Sequence, residues 1–262
     1  MKRKNSSPLL LLAVLSPAAF ADDFARLDAA LPTAINALSI SPVFDFDTDG
    51  CLPSAGISRT GQKNGGLKST GSLGGSCRSS DFLNTSNTFH RYACLVASGN
   101  RHCGHMYAMY FEKDQLLAGI ESGHRHDWEF VVIFTTNGTI THGSFSAHGD
   151  VVTTAVAGLP FENGHLKIVY HKDGVGTHVF RFAMDNEIAE NAYGYWVTPE
   201  IVSWYHFTGD GLSNVTMRAA LNGFDYGGAN MPVTDSHFLS NLNESKPATY
   251  PEFTQASIDS SQ

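Results

Sequence analysis

The 262-residue chain is short of several things, and each absence removes a class of function. Basic residues are scarce: 17 Lys and Arg stand against 25 Asp and Glu, a net charge of −8 with His neutral. That balance argues against binding nucleic acid through its phosphates and against recruitment to anionic lipid by bulk charge. Long apolar runs are missing too, since no segment approaches the roughly 18 residues that a membrane-spanning helix needs. There is no G-x-S-x-G, no H-E-x-x-H, no Walker loop and no G-x-G-x-x-G after a strand, so no familiar hydrolase or nucleotide motif is present. No internal repeat is visible. Cysteines number only four.

The chain opens "MKRKNSSPLLLLAVLSPAAFADD". Lys2, Arg3 and Lys4 precede an apolar run from Leu9 to Leu15, and "AFA" at 19–21 is an A-x-A site. This reads as a secretory signal peptide over residues 1–21 and predicts a secreted, extracellular protein. Residues 22–262 then form one domain. Removing the three basic leader residues leaves 14 Lys and Arg against 25 Asp and Glu, a net charge of −11. Cys51, Cys77, Cys94 and Cys103 are an even set in an exported chain, which implies two disulfides. The expected pairing is sequential, because "CLVASGNRHC" looks like a hairpin-like loop that a bridge would close. A zinc site is the rival, but none of the four forms a C-x2-C pair.

Spaced apolars over 22–40, broken by Pro32, predict short helical segments. Residues 50–80 are rich in Gly and Ser without periodicity, and read as a long loop tied down by Cys51 and Cys77. From residue 89 the pattern turns β. "MYAMYF" (106–111), "WEFVVIF" (128–134), "DVVTTAV" (150–156), "LKIVYH" (166–171) and "HVFRFAM" (178–184) are β-branched and aromatic runs separated by turn residues. Asn-Gly inside "TTNGTI" marks a hairpin. Residues 185–240 are mixed, with some helix. The fold class is mainly β, a sandwich or a barrel.

The polar cluster "GHRHDWE" at 123–129 leads straight into the "FVVIF" run. On a regular strand, His124, His126 and Trp128 share one face, and Arg125, Asp127 and Glu129 the other. Two converging carboxylates repel unless a cation compensates. Arg125 could supply that charge. A hard divalent ion such as Ca2+ or Mg2+ could do so through oxygen ligands, and the H-x-H pair leaves zinc open. "DFDTDG" at 45–50 opens like an EF-hand loop, but position 12 is Gly56, so Asp47 and Asp49 read as turn residues.

"GHRHDWE" resembles the signature of the necrosis- and ethylene-inducing peptide 1-like proteins, the NLP or NPP1 family. "FDTDGCLPSAGI" (46–57), "MYAMYFEKDQ" (106–115), "SAHG" (146–149), "YHKDGVGTH" (170–178) and "RAALNGFDYGGANMPVTDSHF" (218–238) resemble further family blocks in order. The resemblance implies a single-domain, actinoporin-like β-sandwich with flanking helices. It also implies a non-enzymatic, monomeric cytolysin. Its target would be the glycosylinositol phosphorylceramide sphingolipids of plant plasma membranes, bound through a Ca2+ or Mg2+ pocket. By position, Asp114, His124, Asp127 and Glu129 match the metal site, and His126, Arg125, His148 and His178 the surrounding ligand pocket. Met109 stands where the family usually has Trp, Glu112 where it has Pro, and "HKDGVGTH" lacks the loop Trp of many toxic members. A non-cytolytic, lectin-like member is therefore the alternative, and a metal-dependent extracellular hydrolase or lyase the third reading, with His124 or His126 as base.

Overall fold

The computed structural model describes residues 24–259, and the expected leader lies outside the described residues. Among the described residues ten strands form two sheets. They are β1 Val43–Phe46, β2 Asn87–Ala97, β3 Asn100–Asp114, β4 His124–Thr136, β5 Thr139–Ala147, β6 Asp150–Ala155, β7 Phe161–Glu162, β8 His165–Lys172, β9 His178–Phe182 and β10 Glu200–Ser203. The large sheet has the order β10-β2-β3-β4-β5-β6; in the small one β8 pairs with β1, β7 and β9. Only β1 with β8 and β10 with β2 run parallel. Three helices follow: α1 Asn214–Gly223, α2 Phe238–Ser245 and α3 Gln255–Asp259.

The "WEFVVIF" run explains the layering. A strand with one wet face alternates, but this run is apolar at almost every position, so both faces are covered. Val131 and Ile133 pack with Tyr107, Phe111, Ile168, Tyr170 and Phe180 between the two sheets. Trp128, Phe130, Val132 and Phe134 point the other way, where Met217, Leu221, Phe238 and Leu242 of the helices cover them. The architecture is a β-sandwich with helices on its outer face, as the sequence implies. Asn137 and Gly138, at φ 50° and 82°, make the tight β4–β5 hairpin.

Both expected disulfides form, Cys51–Cys77 and Cys94–Cys103. The second joins residues directly opposite each other on β2 and β3. The first closes the Gly/Ser-rich loop. Inside that loop Arg78 donates to the carbonyls of Asp47 and Gly50 at 2.7 and 2.6 Å.

The expected short helices over 22–40 are not there, apart from one 3-10 turn at Leu38–Ile40. The backbone is committed elsewhere. Leu27 N–H donates to the Asn87 side chain at 2.8 Å, and Ala30 bridges to Val202 beside β10. Pro32 also lacks the donor a helix interior requires.

The β3–β4 connection, residues 115–123, is braced from within. Buried Lys113 donates through Nζ to Ser72 O at 2.8 Å and Gln115 Oε1 at 2.9 Å. The Gln115 amide donates to Gly71 O at 2.9 Å and Leu117 O at 2.8 Å. Leu117 and Ile120 are left on the outside of the loop.

Candidate metal centre

The site forms where β3 and β4 run past the end of β5. β5 pairs with β4 only from Val131 onward, so the start of β4 has an open edge. The Ser146 side chain stands in for the next pair, accepting from Phe130 N–H at 2.9 Å and donating to the Glu129 carboxylate.

Regular alternation fails at His126. The β3–β4 ladder keeps its register but skips the Glu112–His126 pair, and His126 lies at φ 63°. A left-handed conformation is uncommon for a residue other than glycine. It rotates the strand, and the predicted faces are redistributed. His124 moves to the Asp127 side, with Nε2 3.8 Å from Asp114 Oδ2. Ligand atoms of Asp114, His124 and Asp127 all lie within 4.8 Å of one another. His126 turns away and bonds the Tyr110 hydroxyl through Nδ1 at 2.6 Å; burial lowers its pKa to about 4. Arg125 points out and donates to the carbonyls of Gly65 and Gly66 at 2.8 and 2.9 Å. Neither His126 nor Arg125, both expected in the ligand pocket, lines the cavity.

The cavity measures about 530 Å3 and is lined by Asp114, His124, Asp127, Glu129, His148 and His178 among others. Asp114, Asp127 and Glu129 are all buried. Tyr170 donates its hydroxyl to Asp127 Oδ2 at 2.9 Å. Burial, reinforced by the nearby Asp114 charge, raises Asp127 to about 7. Burial and then the Asp127 charge push Glu129 well up. His178 works in the opposite sense. Its Nδ1 sits 2.7 Å from Asp114 Oδ1 and its Nε2 3.2 Å from Asp49 O, so both ring nitrogens face acceptors. Burial opposes its protonation, yet the bonds to Asp114 and Asp49 lift it to about 9. His148 stands at the rim, with Nε2 3.1 Å from Asp173 Oδ2.

With all three carboxylates ionised, the His178 imidazolium alone does not balance them; protonation or a bound cation must supply the rest. The donor set is mostly carboxylate oxygen, and it opens on a cavity from which further oxygens can approach. This chemistry fits a hard divalent ion and fits zinc poorly. Among the described residues a second cluster, Cys94, Cys103 and His105, has both its sulfurs tied in a disulfide.

Two outcomes follow from this arrangement. Gly123 lies at φ 80°, where a Cβ would overlap the Asp114 carbonyl oxygen. Gly123→Ala should therefore cost about 1–3 kcal/mol in chemical denaturation and displace Asp114. Calcium affinity, read by calorimetry, should fall as pH drops from about 7.5 to about 5.5. The sign follows from the raised Asp127: below about 7 it holds a proton that the ion must displace. The fall is at most about tenfold per pH unit for each proton displaced. An affinity independent of pH would remove Asp127 from the ligand set.

Comparison with known proteins agrees with this geometry. Residues 35–245 match the family model described as necrosis inducing protein (NPP1). The chain belongs to the NPP1 family. NLP effector protein 10 of Phytophthora capsici is 30% identical over 80% of the chain and 84% of its own length. Necrosis-inducing protein NPP1 of Phytophthora nicotianae is 30% identical over 74% and 76%. Among solved structures, the non-toxic HaNLP3 protein superposes with a TM-score of 0.67 at 24% identity, covering 86% of this chain and 98% of that one. NLPPya in complex with mannosamine gives 0.65 at 24%, covering 84% and 95%; the same protein in complex with glucosamine gives 0.64. These likenesses establish the toxin fold of the NLP proteins.

Several residues of this NPP1-family cavity lie in the quoted family blocks, but their roles do not follow from spacing. Tyr170 lies 43 residues from the carboxylate it bonds, inside an ordinary β run. Asp49 reads as a turn residue, yet its carbonyl accepts from His178. Ser146 opens the "SAHG" block, but its bonds to Phe130 N–H and the Glu129 carboxylate follow from no spacing rule. The far rim of Asn230, His237, Asn241 and Glu244 comes from a segment with no metal-ligand spacing.

Proposed function

We propose that the protein is secreted and acts as a cation-dependent cytolysin. It binds the glycosylinositol phosphorylceramide headgroups of plant plasma membranes and then permeabilises them. The observation that carries the reading is the Asp114–His124–Asp127 cluster, two buried carboxylates and a half-exposed imidazole, lining an open cavity. Asp114, His124, Asp127 and Glu129 would hold Ca2+ or Mg2+. The ion would supply positive charge and open coordination positions for headgroup oxygens. Tyr170 orients Asp127, and protonated His178 fixes Asp114 while offsetting part of its charge. His148 borders the cavity mouth and can meet a sugar hydroxyl. Family membership with proteins named as effectors and necrosis-inducing proteins supports the toxin reading over a hydrolase or lyase.

The test is leakage from dye-loaded vesicles containing plant sphingolipid, with calcium and then with EDTA. Calcium-dependent leakage is expected. Leakage that ignores EDTA would sink the cation mechanism.

One observation favours a second reading. The β8–β9 loop, 173–177, carries no aromatic residue, and Val175 at its tip is 92% exposed. A lone valine is a weak membrane anchor compared with an indole. Headgroup binding without leakage would identify a lectin-like member that recognises the membrane and leaves it intact.

A further inference from the structure

Asp114 ends β3, and the start of the same strand carries a different set of ligating groups. Cys94 and Cys103 lie directly opposite each other on β2 and β3, and Tyr92 and His105 form the pair two residues along. Side chains two apart on a strand share a face, so both sulfurs and the His105 imidazole project to one side of the sheet. One ring nitrogen and the two sulfurs lie within 4.8 Å of one another, and all three residues are buried.

The imidazole is held in place. It stacks on Tyr92 and on His90, with ring centroids at 5.3 and 5.7 Å. Its Nδ1 lies 3.4 Å from His90 Nε2, and His90 Nδ1 lies 2.8 Å from Ser203 Oγ. A hydrogen-bonded chain behind a histidine is the usual means of orienting a metal ligand. Burial, with the Arg101 charge second, lowers the His105 pKa to about 3. Its lone pair is therefore available without displacing a proton.

Over Cys103 and His105 lies a cavity of about 280 Å3, walled by Ile35, Asn36 and Ile40 of the N-terminal segment. It shares no lining residue with the cation cavity. Arg101 also lines it, and a neighbouring cation favours the thiolate form of a cysteine. The bridge is not what keeps the two cysteines together. The β2–β3 ladder runs from the Phe89–Ala108 pair to the Ala97–Asn100 pair, on both sides of Cys94 and Cys103. Opening the bridge leaves two thiols facing each other beside the ring.

We propose that Cys94, Cys103 and His105 form a redox-gated zinc site. The closed bridge excludes the ion. A small-molecule dithiol passes two electrons and two protons to the bridge, the S–S bond breaks into two protein thiols, and the dithiol becomes a cyclic disulfide. Zn2+ then displaces both thiol protons and binds two sulfurs and one nitrogen, with a water from the cavity in the fourth position. Sulfur and imidazole ligands suit zinc and suit calcium poorly, so this site is independent of the carboxylate centre.

The probe is Co2+, a tetrahedral stand-in for Zn2+ whose thiolate complexes absorb by charge transfer. The protein is reduced with dithiothreitol, freed of reductant without air, and titrated with excess calcium present to keep Co2+ off the carboxylates. One Co2+ per chain should bind with a thiolate charge-transfer band, and Zn2+ should displace it. The unreduced protein should show no band. Cys94→Ser with Cys103→Ser should remove the band and leave the other bridge closed before reduction. His105→Gln keeps both thiols and should weaken Co2+ at least about tenfold, since even a partner behind a ligand is worth that much.

Reduced wild type without the band overturns the proposal. A band that survives Cys94→Ser with Cys103→Ser overturns it by placing the ion on Cys51 and Cys77. An affinity unchanged by His105→Gln does the same, since the imidazole would be no ligand. Loss of native near-ultraviolet circular dichroism in the unreduced Cys94→Ser, Cys103→Ser protein also overturns it, because the bridge and not the ladder would then hold the site together.

Discussion

Asp127→Asn is expected to abolish the stabilisation of the protein by calcium. A ligand at a hundredfold excess over its Kd stabilises the native state by about 2.7 kcal/mol. For a domain of this size that raises the melting temperature by about 5–10 °C. The variant should show a shift near zero and vesicle leakage at the buffer level. It should nonetheless fold. Asparagine keeps the volume of Asp127 and can still accept the Tyr170 hydroxyl. It also removes a charge that burial and Asp114 both disfavour. The ion-free variant should therefore melt no lower than ion-free wild type. Scanning calorimetry with calcium and with EDTA separates the two effects. A variant that retains the full calcium shift would show that Asp127 is not a ligand.

Replacing Cys51 and Cys77 together by alanine should cost about 3.5 kcal/mol, the loop-closure value for a bridge spanning 26 residues. Urea denaturation reads that loss directly. The same pair should also weaken calcium binding, although neither sulfur approaches the metal centre. Cys51 follows the Asp49–Gly50 segment that packs on His178. Asp49 O accepts from the imidazole, and a Cβ on Gly50 would meet that ring at 2.6 Å. Loosening the segment frees His178, and with it Asp114. A normal calcium affinity in a destabilised variant would mean that the bridge serves the fold alone.

What the sequence disclosed was mostly local. The β runs, the Asn137–Gly138 hairpin and the Cys94–Cys103 bridge depend on neighbours a few residues away, and each is where the pattern puts it. The "GHRHDWE" heptapeptide marked the site, but regular alternation misassigned its faces. The reason is a positive φ at His126, which carries His124 toward Asp127 and leaves Arg125 bonded to Gly65 and Gly66 outside the cavity. Histidine at such a position leaves no compositional trace. The bonds of Asp114 to His178 and of Asp127 to Tyr170 close over 64 and 43 residues, and no spacing rule reaches that far. The N-terminal apolar spacing misled for a related reason. Those side chains pack on the rim of the large sheet, and tertiary contacts overrode a weak helical signal.

The β3–β4 connection beside the cavity combines a polar interior with an apolar exterior. Gln115 donates to the Leu117 carbonyl inside it and, with Lys113, ties it to the carbonyls of Gly71 and Ser72, while Leu117 and Ile120 are 49% and 56% exposed. An ordinary loop loses conformational freedom when something docks on it, and that loss subtracts from affinity. This one is already fixed before any partner arrives, so its two apolar side chains can meet a surface with little entropy left to surrender.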